Sequence, residues 1–106
     1  MSGEGEPPRL HLDSGERRRL RATVHGRVRG TGFRAYCVRH ARLLGLSGEV
    51  RYAGGAGVEV VVEGDAAALD AFVDSLRRGN RISEVRDVDL EWSAPRRDAT
   101  GFVVGD

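Results

Sequence analysis

"VHGRVRGTGFRAY", residues 24–36, joins a stretch that alternates like a strand to one spaced like a helix, and the joint holds Gly26, Gly30 and Gly32 with Arg27, Arg29 and Arg34. Upstream, "RLRATVH" (19–25) sets Leu20, Ala22 and Val24 against Arg19, Arg21, Thr23 and His25, the period-two pattern of a half-buried strand. Downstream, Phe33, Cys37, Ala41 and Leu44 recur at spacings of four and three, which places them on one face of a helix. A strand, a glycine-rich turn and a helix therefore open the fold.

Outward from that unit, Gly45 and Gly48 bracket the end of the helix, and "EVRYA" (49–53) and "VEVVVE" (58–63) predict a hairpin across "GGAG". Asp65 suits the N-cap of a second helix with the apolar stripe Ala66, Leu69, Phe72, Val73 and Leu76; Arg77 and Arg78 fall in its last turn and Gly79 stops it. A strand follows over 85–92, with Val85, Asp87 and Asp89 alternating with Arg86, Val88, Leu90 and Trp92, and "TGFVV" (100–104) supplies a short last strand after Pro95. This order predicts an α+β, ferredoxin-like βαββαβ fold, an antiparallel sheet of four to five strands with two helices on one face. Residues 1–18, rich in Gly, Pro and acids, are expected to be a flexible tail ahead of a single domain over 19–106.

The formal net charge of +1 conceals a segregation. All 17 basic residues are arginine, nine of them lie in residues 17–42, and that stretch holds no Asp or Glu. Two readings stay open: a field that steers an anion to the glycine-rich turn, or a solvated face balanced by acids brought near in the fold. The single cysteine excludes an intramolecular disulfide, and no apolar run is long enough for a signal peptide or membrane span, so the expectation is a cytoplasmic protein without a membrane partner.

A helix N-terminus presents unpaired N–H groups and about half a positive charge to an anion. Glycines let several N–H groups converge, and Arg34, in the first turn, can grip two oxygens of a phosphate or carboxylate in a fork. Equally, the glycines can serve only a tight turn, with the arginines in water. No Lys-Ser/Thr pair closes a P-loop, and the chain is too short for a dinucleotide-binding sheet, so the expected ligand is small.

The run "VHGRVRGTGFR" (24–34), followed by "GLSGEVR" (45–51), "GVEVVVEG" (57–64), "LRRG" (76–79), the spaced Val88, Asp89, Leu90, Glu91 and Trp92, and "TGF" (100–102), resembles the acylphosphatase family from about Arg19 onward. The resemblance implies a ferredoxin-like domain that hydrolyses carboxyl-phosphate anhydrides as a monomer, with no metal and no cofactor. It implies a phosphate site over Gly26, Arg27, Val28, Arg29, Gly30, Thr31, Gly32, Phe33 and Arg34, with Arg34 the catalytic clamp. The family orients its attacking water with an asparagine at the end of the second strand. Here that position is Tyr52, and Glu49 replaces a tryptophan nearby. Arg29 stands where the family has Gln and is expected to point outward; Thr31 stands where it has Val. Asn80, the only asparagine, follows the second helix, where the family topology gives no obvious route to the loop.

These departures leave two functions in view: a hydrolase of small acyl phosphates with weakened or lost activity, or a non-catalytic phosphate-binding module on the same fold. An RNA-recognition reading is disfavoured because "VEVVVE" offers no aromatic for bases to stack on, and no nucleic acid partner is expected. Cys37 and His40, three apart, suggest a thiolate pair, but Cys37 lies on the apolar stripe and is expected to be a buried hydrophobe. His11, His25 and His40 lack metal-ligand spacing, and Asp87, Asp89 and Glu91 are expected on the solvent face of their strand.

Overall fold

The computed structural model describes residues 14–105, so most of the expected tail lies outside the described residues. Seven elements follow in chain order: β1 (Arg17–Arg27), α1 (Phe33–Leu43), β2 (Ser47–Tyr52), β3 (Val58–Asp65), α2 (Ala66–Arg78), β4 (Glu84–Ser93) and β5 (Phe102–Val104). The sheet order is β4-β1-β3-β2-β5. Strand β1 starts two residues before the expected Arg19. Glu16 already accepts from the N–H of Ala66 at 2.8 Å, and the N–H of Ser14 donates to Asp65 Oδ1 at 2.7 Å.

Alternation sends Leu20, Ala22 and Val24 of β1, Val50 of β2 and Val58, Val60 and Val62 of β3 to one face, where all are fully buried. Both helices cover that face, with Phe33, Cys37 and Ala41 from α1 and Leu69, Phe72 and Leu76 from α2. Each such side chain of Val, Leu or Phe size contributes about 1.5–3 kcal/mol through burial. Asp65 caps α2 as expected, its Oδ2 accepting from the N–H of Ala67 at 2.8 Å. The polar face of the sheet carries a ladder of ion pairs, among them Arg19 to Glu63 at 2.8 Å and Arg51 to Glu59 at 2.7 Å.

Two expectations are corrected. The sheet is mixed, because β5 pairs with β2 in parallel. Strand β4 ends at the level where β1 begins, and β2 begins at that same level on the far side of β3. The connection 94–101 must cross four strand spacings, about 19 Å of the roughly 26–29 Å that eight extended residues reach, which leaves too little to climb to the far end of β2 as well. It therefore runs straight across and delivers β5 beside the start of β2, pointing the same way. Glu63 holds the crossing, accepting from the N–H groups of Arg96 (2.8 Å) and Arg97 (3.0 Å) as well as from Arg19. Burial pushes the Glu63 carboxyl up, but these donors outweigh it and hold it below the usual carboxylate range.

The second correction concerns β4. Val85, Val88 and Leu90 all pack against the core, which strict alternation forbids. A bulge resolves this: His25 pairs with Asp87 but Gly26 pairs with Val85, leaving Arg86 as the extra residue. Gly26 makes the bulge possible, since at its φ of 142° a Cβ would overlap the Glu84 carbonyl oxygen.

Candidate anion site at the β1–α1 loop

Strand β1 and helix α1 fix the two ends of the loop. Gly26 and Arg27 still belong to the strand, paired with Val85 and Glu84 of β4, so the loop proper is 28–32. The Val28 side chain is buried in the core, which anchors the start of the loop, and Phe33 is buried at its end. Between them Gly30 has φ 73°, and the Thr31 hydroxyl donates to the Val28 carbonyl and closes the turn.

Gly32 is the N-cap of α1 in the left-handed region, φ 80° and ψ 15°, with no side-chain cap and no acid in the first turn. The first-turn N–H groups of Phe33, Arg34 and Ala35 are thus left without the side-chain acceptor that Asp65 gives α2. The helix dipole adds positive potential at the same place.

The structure brings Arg29, Arg34 and Tyr52 together. The Arg34 Cζ lies 3.8 Å from the centroid of the Tyr52 ring and the Arg29 Cζ 4.1 Å from it. Arg29 also donates from Nη2 to the Ala53 carbonyl at 3.0 Å, so the expectation that it points outward is overturned. A short hairpin turn after β2 puts that carbonyl within reach. Each guanidinium gains about 0.5–1 kcal/mol from the ring face at such a partly exposed site. Among the described residues neither arginine, nor Arg27, has a carboxylate within ion-pair distance. The two guanidinium groups can be no farther apart than their combined distances to the ring, so the loop and the end of β2 concentrate positive charge at one place.

The expectation that Asn80 has no route to the loop is overturned. Its Nδ2 donates to the Thr31 carbonyl at 2.6 Å, so the chain after α2 does reach the loop. The only hint in the sequence is an asparagine directly after the Gly79 helix stop. The remaining candidates stay apart from the loop. Cys37 is fully buried, and burial raises its thiol to about 12, which makes it an inert hydrophobe. His40 turns to α2 instead, its Nδ1 3.2 Å from Ser75 Oγ; burial, then the charges of Arg78 and Arg39, lower its pKa. Asp87, Asp89 and Glu91 are exposed, with Asp89 2.9 Å from His25 Nε2.

A family model described as acylphosphatase matches residues 20–104. The chain belongs to the acylphosphatase family. It is 34% identical to an acylphosphatase of Salinibacter ruber over 93 residues, covering 88% of this chain and 98% of that one. An acylphosphatase of Dehalococcoides mccartyi is 44% identical over 84 residues, covering 78% of this chain and 92% of its own length. The crystal structure of acylphosphatase from Bacillus subtilis superposes with a TM-score of 0.81 at 30% identity, over 84% of this chain and 99% of that chain. The family supports hydrolysis of acyl phosphates as the general activity. Among the described residues no helix is long and apolar enough to cross a membrane.

Proposed function

We propose that the loop 28–32, with the first turn of α1, binds the phosphoryl group of a small acyl phosphate and that Arg34 clamps it. The observation that carries this reading is an uncapped helix N-terminus flanked by two arginines that have no carboxylate partner among the described residues. Backbone N–H groups take the equatorial oxygens, and Arg34 neutralises the charge that builds as the carboxyl-phosphate bond breaks. Arg27, at the end of β1, adds to the field, and Gly30 and Gly32 keep side chains out of the cradle. Acyl phosphates carry a good leaving group, so positioning and charge neutralisation supply most of what the reaction needs, without a metal or cofactor.

Hydrolysis also needs a water held in line with the phosphorus. At Tyr52, ring contact with both arginines replaces the short polar side chain that the family resemblance implies there. Loss of one preorganised polar group lowers rate by roughly 10²–10³-fold, so this protein turns over slowly while its anion affinity is retained. Tyr52 engaged by Arg29 and Arg34 also favours a second reading, a phosphate-binding module with no turnover. The protein acts as a cytoplasmic monomer in either case.

Hydrolysis of a simple acyl phosphate by the native protein, Arg34→Ala and Tyr52→Asn decides between them. Slow native turnover, lost in Arg34→Ala and raised at least tenfold in Tyr52→Asn, is the expected result. Native protein that binds inorganic phosphate but shows no turnover supports the binding module. Turnover unaffected by Arg34→Ala would sink the assignment of the loop.

A further inference from the structure

Asn80 lies between α2 and β4, fixed by its own backbone: its N–H donates to Ser83 Oγ at 3.0 Å, and Ser83 Oγ donates back to its carbonyl at 3.1 Å. From there its side chain reaches 49 residues back along the chain to the Thr31 carbonyl. Only the amide nitrogen fits that position, because two oxygens 2.6 Å apart repel. The amide oxygen, Oδ1, is buried and has no hydrogen-bond partner among the described residues. A buried acceptor left without a donor costs stability, so the side chain is poorly explained as a stabilising device.

Its effect on the loop is directional. The Thr31–Gly32 peptide is trans and planar, so the Gly32 N–H points opposite to the Thr31 carbonyl. Asn80 draws that carbonyl toward the β4 side of the sheet, the side on which the α2–β4 connection sits. The Gly32 N–H is thereby turned toward the other side, where Arg34 and Arg29 meet Tyr52 at the end of β2. Gly32 can flip readily, having no Cβ, and without Asn80 the only side-chain tie within the turn, among the described residues, is that of the Thr31 hydroxyl to Val28.

We infer that Asn80 is a positioning residue of the anion site, holding the Thr31–Gly32 peptide so that the Gly32 N–H faces the bound phosphoryl oxygens. This rests on the reading of the loop as an anion site. It touches neither phosphate nor substrate; it acts through one peptide plane, across the sheet from the arginines.

The test is titration of the native protein, Asn80→Ala, Asn80→Asp and Arg34→Ala with inorganic phosphate, followed by the backbone amide resonances of the loop and paired with thermal denaturation. In native protein the Gly32 amide is among those that shift most. Asn80→Ala weakens phosphate binding about tenfold, since a hydrogen bond to a charged group is partly lost, and shrinks the Gly32 shift more than those of Arg34 and Ala35. Its melting temperature is unchanged or higher, because the orphaned acceptor is gone. Asn80→Asp weakens binding at least as much near neutral pH, with carboxylate facing carbonyl.

If Asn80→Ala binds phosphate like native protein while Arg34→Ala does not, the anion site stands and the role of Asn80 falls. A lower melting temperature, with all loop amides affected alike, makes Asn80 merely structural and overturns the inference. Native protein that does not bind phosphate removes the loop reading itself and the inference with it.

Discussion

One block of arginines meets two fates. On β1, Arg19 and Arg21 face acids of β3: Arg19 lies 2.8 Å from Glu63 and Arg21 3.7 Å from Glu59. In the loop and first turn of α1, Arg29 and Arg34 meet a tyrosine ring instead. The difference follows from geometry. A strand in mid-sheet has neighbours on both sides, and antiparallel register places Glu63 directly opposite Arg19 and Glu59 diagonally from Arg21, whose direct partner on β3 is Val61. The loop projects beyond the ends of the strands, where no acid of β3 can follow. The same charge pattern in the sequence thus builds a neutralised ladder in the sheet and an open positive site at its end.

The largest effect expected from breaking this contrast is on the sheet side. Glu63 is 4% exposed and accepts three hydrogen bonds, from Arg19, Arg96 and Arg97. Removing it in Glu63→Ala strands those donors and is expected to lower stability by about 3 kcal/mol in chemical denaturation, with phosphate affinity unchanged. The pH dependence has a definite sign. Because folding lowers the Glu63 pKa, its contribution is complete above the ordinary carboxylate pKa of about 4.3 and is lost as pH falls through the lower folded value. Glu63→Gln should lack that part of the acid slope.

On the loop side the expected effect is smaller. Tyr52→Leu removes the ring face from both guanidinium groups and should change phosphate affinity about two- to fivefold, by calorimetric titration, with stability within about 0.5 kcal/mol of native. Tyr52→Phe keeps the face and should match native protein. A loss in Tyr52→Phe equal to that in Tyr52→Leu would assign the effect to the hydroxyl, and the two-arginine platform would be wrong.

Local pattern carried much of the fold. Alternation located β1, a valine-rich run before and after glycine turn signals located β3, spacing located both helices, and Asp65 and Gly79 marked the ends of α2. The β4 bulge was not legible, because it depends on how closely Gly26 approaches Glu84 on another strand. The direction of β5 was hidden too, being set by the span the 94–101 connection has to cross. At the site, the glycines and Arg34 suggested from sequence the cradle that is proposed for the loop. Tyr52 was read for the asparagine it lacks, whereas its ring face is what the structure uses. The route of Asn80 to the loop was not legible because its partner is 49 residues away and its tie runs to a backbone carbonyl, which leaves no trace in residue type.

The most direct measurement is the affinity of inorganic phosphate for native protein, Arg34→Ala and Arg21→Ala at one ionic strength. The account predicts that native protein binds, that Arg34→Ala loses roughly 10- to 100-fold, as removal of a charge-assisted bidentate contact should, and that Arg21→Ala binds as native does. Equal losses in the two variants would mean a diffuse field rather than a site. Loss in Arg21→Ala alone would move the anion to the open face of the sheet and contradict the account.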